Sequence, residues 1–194
     1  LTLIRLKSRG VHGPIALLWA DHLMDAPDRF VAALRKAETL VGENPKRIVF
    51  FGERPRFANH TLGWIQVGES MGQDLRAFRS WKYCPEPAEC AEMFASREWL
   101  WNPGYFVFDL DWMLLQYARH QPEMYASLVA MGDDPKQIEE KYGTLPALHF
   151  DQAIVEKLMP EEAVVLPVEL GWSDPGTLYA LKEALVGPCK ENAT

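Results

Sequence analysis

The chain has 194 residues, of which 48% are hydrophobic and 24% are charged, and its formal net charge is −7. This balance is typical of one globular domain with a sizeable core. It argues against nonspecific nucleic-acid binding, and no apolar run is long enough to span a membrane. The odd number of cysteines (Cys84, Cys90 and Cys189) and their lack of metal-ligand spacing favour a reducing, cytoplasmic environment.

The first half of the chain predicts helices and strands in alternation. The continuous apolar run from Ile15 to Trp19 is typical of a strand buried on both faces. Apolar residues from Phe30 to Val41 recur at helical spacing, with Asp25 as the expected N-cap. The predicted elements are a helix over 1–9, strands over 15–19 and 47–51 with a helix between them, and strands over 63–67 and 74–83. Strand, helix and strand in succession predict a right-handed parallel crossover.

The second half continues the alternation. We predict a helix over 87–95, a turn over 99–104 and a buried strand over 105–108. Helices follow from a cap at Asp111 to about 120, over 122–131, over 135–142 and over 150–159. A buried strand over 163–168 then precedes a helix over 178–185. The expected architecture is α/β, with a mixed, mostly parallel sheet flanked by helices.

The segment 169–177 joins a predicted strand to a predicted helix and places Asp174 before Pro175 and Gly176. Pro175 disfavours the helical region for Asp174, and Pro followed by Gly is typical of a tight turn. The turn would direct the Asp174 side chain outward from the strand end, where ligands usually bind in open α/β sheets. The alternative is that Asp174 only caps the following helix.

A second carboxylate, Asp21, follows the strand that ends at Trp19, as Asp174 follows the strand that ends near Val168. If these strands are parallel neighbours, both carboxylates emerge at the same edge of the sheet. Two carboxylates, together with phosphate oxygens and water, are the usual ligands of Mg²⁺. The sequence therefore predicts a magnesium site at Asp21 and Asp174. The alternative is a pair of unrelated loop aspartates.

Two further polar residues are candidates for ligand contacts. Asn102 precedes Pro103 and Gly104 and so repeats the pattern around Asp174. Its amide offers two donors and one acceptor, which suits vicinal hydroxyls, although an ordinary turn is the alternative. His22 could ligate a metal, but a lone loop histidine more often makes one local hydrogen bond.

Four separate blocks of the sequence carry a resemblance to one protein family. They are Leu17-Leu18-Trp19-Ala20-Asp21-His22, Leu100-Trp101-Asn102-Pro103-Gly104-Tyr105-Phe106-Val107-Phe108, Leu148-His149-Phe150-Asp151-Gln152-Ala153-Ile154-Val155-Glu156-Lys157 and Gly171-Trp172-Ser173-Asp174-Pro175-Gly176. They resemble the elements LPADH, LWNSGMFVF, SIDYAVMEK and GWSDVG of the mannose-1-phosphate guanylyltransferases. The blocks keep the family's order and cover nearly the whole chain.

The resemblance implies the nucleotide-diphospho-sugar transferase fold, which is Rossmann-like, and transfer of GMP from GTP to mannose 1-phosphate. It implies that Asp21 and Asp174 bind the catalytic Mg²⁺. The sugar phosphate would be contacted by Gly63, Asn102, Gly104 and Asp151. The expected partners are these two substrates, with no nucleic acid and no membrane, and a homodimer is one assembly that the resemblance allows.

The chain also departs from the family pattern. The family's glycine-rich nucleotide loop has no counterpart, so we expect residues 1–194 to be one domain without its N-terminal nucleotide-binding part, inactive by itself. The family's FVEKP element falls on residues 81–85, which puts Tyr83 at the Glu position and Cys84 at the phosphate-binding Lys position. We predict that Lys82 compensates for the missing lysine, because residues two apart in a strand share a face. The alternative is that Lys82 is a solvated strand charge.

Two other functions stay open at this point. One is a different hexose-1-phosphate nucleotidylyltransferase, such as a thymidylyl or uridylyl transferase specific for glucose. The other is a degenerate relative that binds sugar nucleotides and regulates a partner, which the altered Tyr83-Cys84 pair allows. A test with several nucleotides and sugar phosphates would separate the two enzymes.

Overall fold

Seven strands form one mixed sheet in the computed structural model, which describes residues 1–176 and 181. In chain order they are β1 (Pro14–Leu17), β2 (Ile48–Glu53), β3 (Gly63–Gly72), β4 (Leu75–Tyr83), β5 (Trp99–Asn102), β6 (Phe106–Asp109) and β7 (Ala163–Val168). The order across the sheet is β1-β6-β2-β5-β3-β4-β7. The predicted helix over 178–185 lies outside the described residues, apart from residue 181.

The sheet is closed over five of its strands, because β7 also pairs with β2. The strands β2, β5, β3, β4 and β7 therefore form a ring. Within residues 1–176, β2 with β7 is the only parallel pair, and every other pairing is antiparallel. The prediction of a mostly parallel sheet is thus wrong, although the mixed α/β class is confirmed. A continuous apolar run indicates burial on both faces, and it does not fix strand direction.

Helices cover both faces of the sheet. They are α1 (Thr2–Ser8), α2 (Pro27–Glu43), α3 (Pro87–Ser96), α4 (Leu110–His120), α5 (Pro122–Met131), α6 (Pro135–Lys141) and α7 (Phe150–Ala153). Side chains alternate along β2, so Phe51 packs with α2 and α3 in one core while Phe50 packs with α4 in the other. No helix among the described residues is long and apolar enough to cross a membrane.

Five local predictions need correction. The N-cap of α4 is Asp109, whose side chain accepts from the Trp112 N–H, and the expected cap Asp111 lies in the first turn of the helix. Trp99–Asn102 is a strand rather than part of a turn, because its residues pair with β3. The strand β1 lies at the sheet edge and is only half buried. Helix α2 is preceded by Ala26 instead of a capping Asp25, whose backbone N–H bonds to Leu170. The helix expected over 150–159 is one short α-helix followed by a 3₁₀ turn over 155–157.

The strands that precede Asp21 and Asp174 run in the same direction. Both β1 and β2 are antiparallel to β6, which lies between them, and β7 is parallel to β2. The two strands of the predicted crossover, β1 and β2, are therefore parallel in direction but are not neighbours. Because β1 and β7 also run the same way, their carboxyl ends lie on one side of the sheet, and the loops that follow them can meet there.

Candidate active site

The loops after β1 and β7 are joined by backbone hydrogen bonds. Leu23 and Ser173 exchange two such bonds, with N to O distances of 3.0 and 3.1 Å. The carbonyl of Leu170 accepts from the N–H groups of Asp25 at 3.1 Å and Ala26 at 3.0 Å. These bonds satisfy backbone groups that would otherwise be unpaired at the strand ends. They bring the segments that carry Asp21 and Asp174 side by side.

Gly171 allows this close approach of the two loops. Its φ is +63°, and a Cβ on it would lie 2.8 Å from the Cβ of Asp25. Any side chain would therefore be strained and would push the two loops apart.

A buried carboxylate, Glu53 at the end of β2, fixes the loop after β7 in position. Its side chain is only 2% exposed. It accepts hydrogen bonds from the backbone N–H groups of Leu170 (2.9 Å) and Trp172 (3.3 Å). Burial raises the pKa of Glu53, although these bonds and the Arg56 guanidinium act in the opposite direction. Arg56 adds a hydrogen bond of 2.7 Å to the carbonyl of Trp172 and lies over the Trp101 ring.

A cavity of about 290 Å³ opens where these loops meet the ends of β3, β4 and β5. We call it the acidic cleft, because three carboxylates line it. It is lined by Trp19, Asp21, His22, Thr61, Leu62, Gly63, Trp81, Tyr83, Asn102, Pro103, Gly104, Phe106, Phe150, Asp151, Trp172 and Asp174. Every site residue predicted from the sequence lines this cleft, with the exception of Lys82.

A larger cavity of about 780 Å³ lies among α1, β1, α4, α5 and residues 142–150. Its lining side chains carry no charge and are mostly apolar, such as Leu3, Leu114 and Leu128. A metal ion needs polar or charged ligands, and the described residues that line the larger cavity offer no carboxylate, so the smaller acidic cleft is the better candidate.

The two Asx-Pro-Gly segments form the same local turn. The Oδ1 atom of Asn102 accepts from the N–H of Gly104 at 3.0 Å. The Oδ1 atom of Asp174 accepts from the N–H of Gly176, also at 3.0 Å. Such turns hold the polar side chain close to its own backbone and fix its direction. The second oxygen of Asp174 and the amide nitrogen of Asn102 are not used in these bonds.

His22 is neutral and fixed at the rim of the acidic cleft. Its Nδ1 accepts from the indole N–H of Trp172 at 3.0 Å and lies 3.1 Å from the hydroxyl of Tyr105. Since an indole can only donate, Nδ1 carries no proton. Burial lowers the pKa of His22, although Asp174 and Asp21 act to raise it. Burial also raises the pKa of Tyr105 to about 12, so its hydroxyl keeps its proton.

Two glycines, Gly63 and Gly104, form part of the wall of the acidic cleft. Gly63 lies between Asn102 and Tyr83 in the register of the three neighbouring strands. Gly104 has φ +72°, and a Cβ on it would lie 2.3 Å from the indole Nε1 of Trp19. The backbone at Gly104 therefore favours glycine, and Trp19 packs directly on it.

Asp151 lines the acidic cleft with an oxygen that lacks a protein partner. Its Oδ1 is buried and accepts no hydrogen bond from the described residues. Burial raises the pKa of Asp151, and its own backbone N–H and His149 only partly offset that effect. A buried acceptor of this kind is available for a ligand donor.

Lys82 does not line the acidic cleft. Its ammonium pairs with Glu89 of α3, with both side chains partly exposed. Its neighbours Trp81 and Tyr83 line the acidic cleft instead, because alternate residues of a strand point to opposite faces. Cys84 follows the end of β4 with φ +45°, so the alternation stops there. This placement gives no support to the predicted role of Lys82 in phosphate binding.

Curated proteins named mannose-1-phosphate guanylyltransferase are similar to this chain over most of its length. The protein of that name from Escherichia coli (strain K12) is 32% identical over 178 residues, which cover 86% of the chain and 36% of that protein. Mannose-1-phosphate guanylyltransferase RfbM from Salmonella typhimurium is 29% identical over 174 residues, with the same two coverages. The chain is a relative of the mannose-1-phosphate guanylyltransferases. No family model matches the sequence.

A solved structure shows the same fold as this relative of the guanylyltransferases. It is described as mannose-1-phosphate geranyltransferase from Thermus thermophilus, and the comparison gives a TM-score of 0.83 at 24% identity. The match covers 96% of this chain and 53% of that chain. The chain thus spans about a third of the length of the curated guanylyltransferases and about half of the solved structure.

Two carboxylates of the acidic cleft form a donor set that suits a divalent cation. Asp21 and Asp174 supply carboxylate oxygens, which are hard ligands that suit Mg²⁺. Among residues 1–176 and 181, no group of three or more His, Cys, Asp or Glu side chains could hold a metal ion. An ion here would therefore keep water or substrate oxygens among its ligands, as Mg²⁺ commonly does.

Sequence reasoning missed the residues that hold the acidic cleft in place. The predicted strand over 47–51 ends before Glu53, and the sequence pattern marks Trp81 only as a part of the altered FVEKP element. One signal could have identified Glu53, because it is a carboxylate that closely follows the apolar run 48–51. Its partners Leu170 and Trp172 lie more than a hundred residues further along the chain, and no local pattern connects them.

Proposed function

We propose that the protein containing this chain transfers GMP from GTP to mannose 1-phosphate, releasing pyrophosphate and GDP-mannose. The observation that carries this proposal is the composition of the acidic cleft. Asp21, Asn102, Asp151 and Asp174 come one from each of the four blocks that resemble the guanylyltransferases, and all of them line the cleft. Four segments that are far apart in sequence thus each contribute a lining residue to the same site.

Asp21 and Asp174 would hold Mg²⁺ in this reaction. A divalent cation held there would supply charge neutralisation at the phosphates during nucleotidyl transfer. The chain's own contribution is to hold the two segments that carry these carboxylates side by side through the loop pairing at Leu23 and Ser173. Neutral His22, held by Trp172 and Tyr105, adds no competing positive charge.

The sugar would bind against Gly63, Asn102, Gly104 and Asp151. Gly63 leaves space beside Asn102 that a side chain would otherwise fill, and Asn102 offers the amide protons that its turn does not use. Asp151 can accept a hydrogen bond from a sugar hydroxyl with its unpaired oxygen. Positioning of the sugar phosphate in this way contributes to nucleotidyl transfer chiefly by aligning the reacting oxygen.

A steady-state assay tests the reaction on the longest polypeptide that contains this chain. GTP, UTP and dTTP are each combined with mannose 1-phosphate and glucose 1-phosphate in the presence of Mg²⁺. The proposal predicts the highest kcat/KM for GTP with mannose 1-phosphate, and loss of most of that activity in Asn102→Ala. A preference for glucose 1-phosphate with UTP or dTTP would instead identify another hexose-1-phosphate nucleotidylyltransferase.

A second candidate function is sugar-nucleotide binding without turnover. One observation that favours it is that the described residues lining the acidic cleft include no Lys or Arg. Another is that Tyr83 and Cys84 stand at the positions of the family's Glu and Lys. Binding of GDP-mannose without formation of product in the assay above would support this alternative.

Location and assembly are further parts of the proposal. A cytoplasmic location is supported by the unpaired thiols of Cys84 and Cys90. A homodimer is an assembly that light scattering at several protein concentrations would test.

A further inference from the structure

Trp81 lines the acidic cleft and has an unused hydrogen-bond donor. Its indole Nε1 is buried and has no hydrogen-bond partner among the described residues. The side chain lines the cleft, where its ring stacks on that of Tyr83 with centroids 6.1 Å apart and planes 11° apart. Buried N–H groups without an acceptor are uncommon in folded proteins, because each loses its hydrogen bond to water.

A second hydrogen-bond donor, the side-chain amide of Asn102, lies near the indole N–H of Trp81, beside Gly63. A Cβ placed on Gly63 would lie 3.6 Å from Nε1 of Trp81 and 3.7 Å from Nδ2 of Asn102. The Oδ1 atom of Asn102 is occupied by the Gly104 N–H, so its amide protons are on the Nδ2 side. Two N–H donors therefore flank the volume that a side chain on Gly63 would fill.

The surroundings favour a hydroxyl oxygen as the acceptor for these donors. A phosphate would need cations, and the cleft lining among the described residues has Asp21, Asp151 and Asp174 but no Lys or Arg. A hydroxyl can accept from an N–H and donate its own proton to a neighbouring acceptor. Asp151 has an unpaired Oδ1 in the same cleft that could take such a proton.

We propose that Trp81 is a specificity-determining residue that donates its indole hydrogen bond to a sugar hydroxyl of a hexose 1-phosphate, in the space that Gly63 leaves open. This inference rests on the proposed function and adds a contact that a phenylalanine at this position could not make. Sites built to bond a substrate hydroxyl discriminate strongly against analogues that lack it, because the donor is then buried unpaired.

Calorimetry with the longest polypeptide that contains this chain tests this role, using mannose 1-phosphate and GDP-mannose as probes in the presence of Mg²⁺. Trp81→Phe keeps an aromatic ring but removes the N–H, and we expect it to weaken binding about tenfold, as expected for loss of one hydrogen bond. The matched control is Trp101→Phe. The Nε1 of Trp101 is equally buried and unpaired, but this side chain does not line the acidic cleft, so binding should not change.

Deoxy analogues of mannose 1-phosphate identify the hydroxyl. The wild type should bind one of them about tenfold more weakly than the parent sugar, and Trp81→Phe should bind that same analogue as well as the wild type does. In ¹⁵N-labelled wild type, the assigned Trp81 indole proton should shift downfield on saturation with the sugar phosphate. This last measurement needs no variant and so holds if Trp81→Phe does not fold.

The outcomes separate this inference from the proposed function. If mannose 1-phosphate binds equally to wild type and Trp81→Phe, or leaves the Trp81 indole proton unshifted, the inference is overturned while the proposed function stands. If only another hexose 1-phosphate binds, and Trp81→Phe weakens the binding of that sugar phosphate, the inference stands while the mannose specificity fails. If no hexose 1-phosphate binds, both are contradicted.

Discussion

Leu23 and Ser173 exchange a pair of backbone hydrogen bonds between loops that are 150 residues apart in sequence. The loop after β1 carries Asp21, and the loop after β7 carries Asp174. Because the bonds join their backbones, the fold holds the segments that carry the two carboxylates side by side. This preorganisation is the basis of the predictions that concern metal binding.

Removal of either carboxylate should weaken metal binding. We expect Asp21→Asn and Asp174→Asn each to lower the affinity for Mn²⁺, used as a paramagnetic substitute for Mg²⁺, by at least about tenfold, since each removes one charged ligand. Electron paramagnetic resonance of free Mn²⁺ measures this directly. Asp28→Asn is the control, because Asp28 is an exposed carboxylate in the first turn of α2. Equal affinities in all four proteins would show that the ion binds elsewhere.

Glu53 should stabilise the folded protein, because it holds the loop after β7 in position. Glu53→Ala leaves the buried N–H groups of Leu170 and Trp172 without an acceptor, so we expect a loss of about 2–4 kcal/mol in the free energy of unfolding. Urea denaturation gives this quantity. Glu169→Ala is the control, because Glu169 is exposed and pairs with Arg54 at the surface at 2.9 Å, and its removal should cost less than about 1 kcal/mol.

The raised pKa of Glu53 also predicts a pH dependence of stability. Above the ordinary glutamate pKa of about 4.3, the folded state keeps the Glu53 proton to a higher pH than the unfolded state does. Folding is therefore linked to proton uptake at Glu53, and its contribution falls as the pH rises through this window. The free energy of unfolding of wild type relative to Glu53→Gln should decrease from about pH 4.3 upward. An increase over the same range would mean that the pKa is lowered.

A methyl group on Gly63 should block ligand binding without unfolding the protein. Its Cβ would make ordinary contacts, the nearest at 3.4 Å from Asn102, but it would fill the space between the two N–H donors. We expect Gly63→Ala to retain the wild-type melting temperature and to bind mannose 1-phosphate at least about tenfold more weakly in calorimetry. Gly42→Ala in α2 meets nothing within 4 Å and should stabilise the helix by about 1 kcal/mol with unchanged affinity. Unchanged affinity in Gly63→Ala would place the sugar elsewhere.

Gly104 should tolerate substitution less well than another glycine of similar φ. Gly104→Ala adds a clash with the Trp19 indole at 2.3 Å to the strain at φ +72°. Gly10, at φ +79° with nothing within 4 Å, carries the backbone strain alone, and its substitution should cost about 1 kcal/mol. We expect Gly104→Ala to cost more than Gly10→Ala and to change the tryptophan fluorescence. Equal costs would show that Trp19 moves away freely.

Local chemistry in the sequence was sufficient to predict the two turns of the site. Asn102 and Asp174 each precede Pro-Gly, and in both turns the side chain accepts the N–H two residues on. The strand over 163–168 and the helix over 122–131 were likewise predicted with the bounds that the structure shows. These features depend on residues that are close in sequence.

Features that depend on residues far apart in the chain could not be predicted from the sequence. Strand direction is set by which strands pair, so the apolar runs could not reveal that β6 lies antiparallel between β1 and β2. Trp81 and Tyr83 share a face of β4, as alternation along a strand predicts, but the alternation was also expected to include Cys84, where it stops. The face that meets the acidic cleft could not be identified. As a result Lys82 was assigned to the site, whereas Trp81 and Tyr83 line it.

A crystal structure of the chain with GDP-mannose and Mg²⁺ tests the central claim most directly. The account predicts the mannosyl group in the acidic cleft, against Gly63, Asn102 and Trp81, and the ion bound by Asp21 and Asp174. A ligand bound in the apolar cavity beside α1 and α4, or an ion away from both aspartates, would contradict it.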